Sequence, residues 1–267
     1  MKRARQVALG GLGLALAALS IWARDRQWMA APADTLPLAL GLPWAYYLGR
    51  PWRPGNDLLD RRQRLLATLG AIGFACGWII CSLTLLAMSW TLLALLWAPW
   101  AFGAPPGRAR LAWLVLLAFP WLTLEWPAIG WAYRLSSAAV AQQVFSLMQL
   151  PTLHEGTHLM VMGVPVEIDA SCAGWNLLQL TLLTGVAFGA YEIRSTRRFT
   201  LLLCLLPAVA WLANLLRILI LSAIALACDE QVASGVIHGL TGLAILGAAL
   251  AMTKGLCLML DSQSGTS

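Results

Sequence analysis

Residues 65–104 contain no charged side chain over 40 consecutive positions, and they are apolar almost throughout. A helix needs about 20 residues to cross the hydrocarbon core of a membrane, which is roughly 30 Å thick. The run therefore predicts two membrane helices joined as a hairpin. A transmembrane β-barrel does not fit, because its strands alternate in polarity over segments of about ten residues. The sequence predicts an all-α protein within the membrane.

The whole chain, residues 1–267, is predicted to be a single polytopic helical bundle of about eight spans. The spans are expected at about 7–23, 36–49, two within 65–104, 111–126, 174–191, 199–217 and 239–254. Pro37 and Pro43 predict a short, irregular second span. Most basic residues lie in short loops between spans, so the positive-inside rule predicts that both termini are cytoplasmic. The protein is expected in the cytoplasmic (inner) membrane. The net charge of +6 thus indicates membrane topology and not a nucleic-acid partner.

The predicted spans divide the chain into three parts. Residues 1–126 hold the first five spans. Residues 127–171 contain no credible span and are expected to face the outside, as an interfacial helix over 132–150 and an extended β-hairpin around 158–168. Residues 172–255 hold the remaining spans. Within them, residues 218–237 are expected to form a separate outward-side or re-entrant segment.

Arg217 lies in the apolar stretch "LANLLRILIL". A charged side chain at the centre of a membrane helix costs at least about 2.5 kcal/mol, so Arg217 is expected to face a polar partner or a functional site. Snorkelling of its guanidinium to the headgroups is the alternative. Asn214 lies three residues earlier on the same helical face, where it can hold the guanidinium or share a ligand with it.

Cys172 and His238 are predicted to lie at the same outer face as Arg217. Cys172 precedes the sixth span, and the positive end of that helix, with Ser171 or Asp169 as its N-cap, would favour a thiolate. His238 begins the last span, where a lone histidine also commonly caps a helix. A nucleophile, an oxyanion stabiliser and a proton carrier are the groups that acyl transfer needs.

Further polar side chains surround Cys172. Asn176 and Gln179 form a polar stripe on an otherwise apolar helix, which can line a substrate cleft or make hydrogen bonds between helices. Glu167 and Asp169 precede the cysteine and are candidates for a supporting role.

With these residues in place, the sequence over roughly 125–255 resembles the exosortase/archaeosortase family of integral-membrane sorting enzymes. The segment "GVPVEI" is similar to the family's outer segment and "ASCAG" to its Cys-Ser/Ala-Gly motif, with Ala173 where serine is commoner. "NLLR" corresponds to its Asn-x-x-Arg and "HGLTG" to its histidine box. The resemblance implies that Cys172 is the nucleophile, Arg217 the oxyanion stabiliser and His238 the acid/base, with no cofactor.

The resemblance also implies a substrate class. Such enzymes act on exported proteins whose C-terminal tail carries a Pro-Glu-Pro-like motif, one transmembrane helix and a basic cluster. The implied reaction is thiolate attack on a peptide carbonyl, loss of the C-terminal helix, and transfer of the acyl group to an acceptor nucleophile or to water. The family is often associated with exopolysaccharide production. A site at the outer, periplasmic edge of the bilayer suits this tail.

A rival motif is "HEGTH", which matches the zinc-binding pattern H-E-x-x-H at His154, Glu155 and His158. That pattern needs a helix, and Pro151 and Gly156 weaken one here. A zinc metalloprotease is therefore an alternative hypothesis, beside a role of this loop in recognising the tail.

A third hypothesis is a non-enzymatic anion transporter or scaffold that uses Arg217 and Asn214. It leaves Cys172 without a role. Cys228 is the fallback thiol, and a disulfide between Cys172 and Cys228 is a further alternative in an oxidising compartment.

Overall fold

The structure is a computed structural model that describes residues 2–24, 32–50, 59–102, 108–119, 121, 125–167, 175–228 and 236–262. These residues form nine α-helices and one three-stranded antiparallel sheet. The chain divides into two compact units, residues 1–125 and 126–267. The prediction of a mostly helical protein is confirmed.

The first unit contains five helices in the described part of the chain. They are α1 (Lys2–Ala23), α2 (Pro32–Leu48), α3 (Arg61–Ile79), α4 (Leu83–Phe102) and α5 (Arg108–Leu117). α1, α3 and α5 each pack against α4, and α2 packs against α5. The sequence of α4 is the most apolar of the five, which suits its central place.

The hairpin predicted within residues 65–104 is confirmed by α3 and α4. Asp60 begins α3 with a capping box, in which its Oδ1 accepts from the Gln63 backbone N–H at 2.6 Å and Gln63 Oε1 accepts from the Asp60 N–H at 3.1 Å. Where the two helices approach, Gly77 leaves room for Leu86, whose Cγ would lie 2.9 Å from a Cβ at that position. Close packing of the helices therefore depends on this glycine.

A carboxylate distant in sequence caps the N-terminus of α4. Glu125 accepts hydrogen bonds from the Ser82 hydroxyl at 3.1 Å, from the Thr84 backbone N–H at 2.7 Å and from the Leu83 N–H. Burial alone raises the pKa of Glu125, but the hydrogen bonds from Thr84, Leu83 and Ser82 outweigh it and hold the pKa below its usual value. The ionised form is the one that caps the helix.

Two predicted spans of the first unit differ from the helices observed. The span expected at 111–126 is wrong in extent, because α5 ends at Leu117 after 10 residues, about 15 Å. Pro120 lies just beyond this end, and residues that precede a proline are disfavoured in helical conformation. The second span is a continuous 17-residue helix through Pro37 and Pro43, so the expected irregularity is absent from α2.

The second unit combines four helices with the sheet. Its elements are α6 (Pro127–Leu147), β1 (Thr152–Glu155), β2 (His158–Val161), β3 (Val164–Glu167), α7 (Trp175–Glu192), α8 (Thr196–Ala227) and α9 (Val236–Ser262). α7, α8 and α9 pack against one another, while α6 and the sheet pack on α8. α8 is therefore the common support of the unit.

α8 is one continuous helix of 32 residues, about 48 Å long. The prediction that a span ends at Arg217 and a separate segment occupies residues 218–237 is therefore wrong for residues 218–227. The sequence "ILILSAIALA" has no proline or glycine that would end the helix. The helix is longer than the hydrocarbon thickness of roughly 30 Å.

α6 runs lengthwise along α8. The Tyr133 hydroxyl donates to the Pro207 carbonyl at 3.0 Å, and Trp211 Nε1 donates to Ser136 Oγ at 3.0 Å. A turn or more further along both helices, Phe145 joins the buried cluster that contains residues 215–221 of α8. α6 therefore follows α8 along its length, and the interfacial location of residues 132–150 stays a prediction.

The hairpin expected around residues 158–168 is present as two strands of the small sheet. The strand order is β1-β2-β3, all antiparallel, with Thr152 opposite Val161 and Val161 opposite Val164. Leu159 and Val161 form its buried face and pack against α6 and α8. The third strand, β1, was not predicted.

Four helices are long and apolar enough to cross a membrane in the described part of the chain. The segments are Ala4–Ala23, Leu83–Ala101, Thr196–Ala227 and Ile237–Asp261. They support a membrane protein. The count of about eight spans is not confirmed and stays a prediction.

Candidate active site

Arg217 and His238, two of the three predicted catalytic residues, are in contact. Arg217 Nη2 lies 2.8 Å from His238 Nε2. Because arginine has donors and no acceptor, the guanidinium donates and Nε2 accepts, which leaves the imidazole proton on Nδ1. His238 is the third residue of α9, so the contact joins the N-terminal end of α9 to the middle of α8.

The space for the Arg217 guanidinium comes from a glycine in α9. A Cβ on Gly242 would lie 3.3 Å from Nη2 and 3.5 Å from Cζ of Arg217. Gly242 follows His238 by four residues, so both lie on the same helical face. The sequence motif contained this glycine, but its role becomes visible only when α8 and α9 are packed together.

α7, α8 and α9 pack against one another in a constant register along their lengths. α7 is antiparallel to α8, since a Cβ on Gly189 would collide with Leu202 and one on Gly185 with Leu206. Nearer its beginning, Leu177 packs with Ala213. The N-terminus of α7 therefore lies beside the stretch of α8 that contains Arg217.

α9 is antiparallel to α8 as well. Arg198 Nη1 donates to the Leu260 carbonyl at 3.2 Å near one end, and the contact between Arg217 and His238 lies near the other. At the end that carries Arg198, Lys254 of α9 forms an ion pair with Glu192 of α7. The N-termini of α7 and α9 thus share one end of the bundle, where both helix dipoles place partial positive charge.

Arg217 lies at a height that suits a membrane border. It follows Thr196 by 21 residues, which is about 32 Å along the helix. Arg197 and Arg198 mark the opposite end, where charged side chains belong in a headgroup region. With that end at one border of a hydrocarbon core of roughly 30 Å, Arg217 reaches the other border.

Asn214 is buried one turn below Arg217. Its side chain has no exposed surface, and neither amide atom has a hydrogen-bond partner within the described ranges. The expected hydrogen bond between Asn214 and the guanidinium is therefore not formed. A buried amide without partners is costly, so this group is available to a ligand or to the neighbouring chain segment.

Gln179 lies inside the helix packing of α7 with 1% of its surface exposed. Asn176 belongs to the first turn of α7 and Glu167 ends β3, but only their backbone is described. Cys172 and Asp169 fall outside the described residues. Their predicted roles stay predictions.

The segment that contains Cys172 is bounded by two elements that pack on α8. β3 contacts α8 and ends at Glu167, and α7 begins at Trp175. Both boundaries lie beside the part of α8 that contains Arg217. This follows from the antiparallel packing of α7 on α8 and from the packing of the sheet on residues 215–221.

The zinc-motif hypothesis for "HEGTH" is wrong. The five residues form the end of β1, a two-residue turn and the start of β2, with Glu155 opposite His158. His154 lies on the partly buried face of the sheet, while His158 lies on the exposed face. Two histidines on opposite faces do not form the helical ligand pair of H-E-x-x-H. No group of three His, Cys, Asp or Glu side chains suited to a metal occurs among the residues that are described.

Cys228, the fallback thiol, is a free and exposed cysteine at the end of α8. It follows Arg217 by 11 residues, or about 16 Å along the helix axis. Cys228 is therefore remote from the contact between Arg217 and His238, and the alternative of a disulfide to Cys172 is not realised.

The family of this chain follows from a comparison with protein-family models. The family model described as transmembrane exosortase (Exosortase_EpsH) matches residues 2–255. The chain belongs to the transmembrane exosortase family. Exosortase membership supports a membrane sorting protease. Searches of curated proteins and of solved structures found no match.

Proposed function

We propose that this exosortase cleaves the C-terminal sorting signal of exported proteins by cysteine acyl transfer, with Cys172 as nucleophile, Arg217 as oxyanion stabiliser and His238 as acid/base. The observation that carries the proposal is the 2.8 Å contact between Arg217 and His238. These residues come from separate helices and are 21 positions apart in sequence. Their contact at the membrane border is hard to explain by packing alone, because it brings two polar side chains into an apolar bundle.

The position of Cys172 in the chain fits this role. Trp175 follows it by three positions, so the two Cα atoms are at most about 11 Å apart. Trp175 begins α7, whose N-terminus lies beside the stretch of α8 that contains Arg217. Cys172 is thus within reach of the guanidinium, and the positive ends of α7 and α9 would favour its thiolate.

In the proposed reaction, the Cys172 thiolate attacks a peptide carbonyl and forms a tetrahedral oxyanion. The guanidinium of Arg217 stabilises that oxyanion. Before the attack, the guanidinium turns from His238 Nε2 to the position of the oxyanion, so that Nε2 accepts the thiol proton; Nε2 delivers this proton to the leaving amine when the C–N bond breaks. The resulting thioester is attacked by an acceptor nucleophile or by water, which passes its proton to His238 Nε2 and displaces the thiolate.

The substrate is a tail with a Pro-Glu-Pro-like motif, one transmembrane helix and a basic cluster. A helix of about 20 residues that starts at the basic end of α8 would bring the motif to the height of Arg217. Asn214, whose buried amide has no hydrogen-bond partner among the described residues, would hold the peptide there. The proposal keeps both termini of the enzyme in the cytoplasm and the site at the outer face of the inner membrane, with Asn176, Gln179, Glu167 and Asp169 as supporting residues.

The test is processing of a tail-bearing substrate in cells that express each variant. Cys172→Ala, His238→Gln and Arg217→Lys should each abolish cleavage. The lysine variant keeps the charge but loses the planar set of N–H donors with which the guanidinium can bind the histidine and the oxyanion. Cys228→Ala is the matched control and should cleave normally.

The result also separates the hypotheses. A thiol alkylator should block cleavage by the wild type and by Cys228→Ala to the same extent. Normal cleavage by Cys172→Ala would overturn the cysteine mechanism. Tight binding of an anionic ligand by a protein that never cleaves a tail would favour the transporter or scaffold hypothesis instead.

A further inference from the structure

The turn between β2 and β3 determines which backbone groups of β3 point outward. Residues 162 and 163 have φ of 52° and 82°, the geometry of a two-residue hairpin turn, so Val161 and Val164 form a hydrogen-bonded pair. Along an antiparallel ladder, such pairs alternate with pairs whose backbone groups point away from each other. The backbone groups of Pro165 and Glu167 therefore point away from β2, to the outer edge of β3.

The opposite edge of the sheet, formed by β1, is covered. The backbone N–H of Met162 donates to the Pro151 carbonyl at 2.8 Å, so the next residue, Thr152, turns its backbone groups away from β2. Gln142 of α6 donates to the Thr152 carbonyl at 3.4 Å. α6 therefore packs along the edge of β1.

The edge of β3 is open in the described part of the chain. Neither the Pro165 carbonyl nor the Glu167 N–H forms a backbone hydrogen bond with another described residue, and the Pro165 side chain is exposed. α8 supports the sheet through its face, where Leu159 and Val161 are buried. An unpaired strand edge of this kind can bind a further strand.

The spacing of the outward groups on β3 fits one residue of a parallel strand. In a parallel pair, a residue donates its N–H to a carbonyl of the neighbouring strand and accepts from the N–H two positions further along that strand. The Pro165 carbonyl and the Glu167 N–H form such a set. Proline has no N–H, so within β3 the outward donor is that of Glu167, which restricts the register of an added strand.

β3 runs toward the Thr196 end of α8. The Leu150 N–H donates to the Phe145 carbonyl, and two residues later the chain passes beside Gln142, so β1 starts back along α6. β3 is parallel to β1, since both pair antiparallel with β2. α6 follows α8, so β3 runs against the direction of α8. A substrate tail with its basic cluster at the Thr196 end has the same direction as β3.

The open edge belongs to the part of the molecule that contains the proposed reaction site. β3 contacts α8, and the sheet packs on residues 215–221, the stretch that includes Arg217. Neighbouring strands lie about 4.8 Å apart, so a peptide on this edge would run directly beside β3. The segment that contains Cys172 follows the end of β3 at Glu167.

We propose that the extended stretch of the tail before its transmembrane helix binds to this edge as a fourth strand, parallel to β3. One tail residue donates its N–H to the Pro165 carbonyl and accepts from the Glu167 N–H. Main-chain hydrogen bonds supply the affinity in this kind of peptide recognition, and they hold the peptide extended for attack. The identity of the peptide rests on the proposed function.

Disulfide trapping tests the edge and the strand direction together. The full-length enzyme carries Cys172→Ala and Cys228→Ala, so that it binds the tail without cleaving it, and either Pro165→Cys or Glu167→Cys. Each variant is oxidised in membranes with tails that carry one cysteine at successive positions. Leu153→Cys is the matched control, because Leu153 is exposed and lies in the same cross-strand row as Pro165, at the covered edge.

Pro165→Cys and Glu167→Cys should each trap one tail position most strongly. The position trapped by Glu167→Cys should follow the other by two residues, and Leu153→Cys should trap none above the background of the parent enzyme. A shift of two residues in the opposite sense, no trapping by Pro165→Cys, or equal trapping by Leu153→Cys would overturn the proposal. Trapping needs no cleavage, so processing that requires Cys172 without trapping at the edge would refute this inference and leave the proposed function intact.

A second pair of variants tests the outward donor in the processing assay. Glu167→Pro removes the N–H without removing a hydrogen bond to β2, while Glu167→Ala removes the side chain and keeps the N–H. The proline variant should process the tail roughly five- to tenfold more slowly than the alanine variant, the usual effect of one hydrogen bond. Equal rates would show that the N–H does not bind the tail.

Discussion

Gly242 lies one helical turn after His238, and a Cβ at this position would lie only 3.3 Å from Nη2 of the Arg217 guanidinium. Gly242→Ala is expected to displace that guanidinium by a few tenths of an ångström and lower the rate of processing. The loss should be roughly tenfold, since a displacement of about 1 Å at a catalytic group can cost a hundredfold. Processing in a time course measures it.

Gly247→Ala is the matched control for this variant. Gly247 lies in the same helix, and a Cβ there would meet no atom within 4 Å. Alanine should stabilise the helix by up to about 1 kcal/mol at either position. A thermal melt should therefore show no loss of stability in either protein. Normal processing by Gly242→Ala would contradict the idea that this glycine positions Arg217.

Asn214→Leu is expected to separate stability from function. Leucine has the same number of side-chain heavy atoms with the same branching, and it removes a buried amide that has no partner within the described ranges, which should raise stability by about 1 kcal/mol. Processing should fall at the same time, because the peptide loses its hydrogen-bonding group. Thr181→Val serves as the control, since its hydroxyl is also buried without a partner in the described structure. That variant should gain stability and process normally, and equal processing by both variants would count against a role for Asn214.

Glu125→Gln should destabilise the first unit by about 1 kcal/mol, the usual effect of losing a helix cap. The pKa of Glu125 is lowered in the folded protein, so ionised Glu125 contributes stability above the pKa of an unfolded glutamate, about 4.3. That contribution disappears as the pH falls through the lower folded pKa. Melting temperatures in detergent, measured from neutral pH to about pH 3, should differ between wild type and variant at neutral pH and converge in acid. A constant difference across that range would contradict the capping role.

Metal removal should leave processing unchanged. The two histidines of "HEGTH" face opposite sides of the sheet and do not form a shared zinc site. Treatment with a chelator, and the variants His154→Ala and His158→Ala, should therefore retain wild-type cleavage. Loss of activity with the chelator that zinc restores would restore the metalloprotease hypothesis.

The sequence predicted the helical class, the hairpin of α3 and α4, and the strands before α7. These features rest on local patterns: an apolar run of twice the spanning length, and alternating residues beside turn-forming glycines. Membrane length was the wrong guide for α8, because a helix does not have to end where the hydrocarbon ends. The mixed polarity of residues 132–150 likewise did not reveal that α6 follows α8.

The candidate site was predicted in part. Arg217 was conspicuous as a charge within an apolar stretch, and its contact with His238 agrees with the prediction that the two meet. The absence of a hydrogen bond between Asn214 and the guanidinium was not predictable, because one helical face offers several neighbours. The role of Gly242 was hidden as well, since a glycine signals close approach only when the approaching side chain is known.

The length of α8 fixes a distance that matters to the proposed reaction. Arg217 follows Thr196 by 21 residues, so the distance of the proposed reaction site from the basic end of the bundle is fixed. A tail whose apolar helix is longer or shorter by one turn, about 5.4 Å, would present a different peptide bond at that height. Bilayer thickness shifts the tail in the same way. Substrate choice would then depend on a length as much as on a motif, and one enzyme could sort tails by the membrane for which they are built.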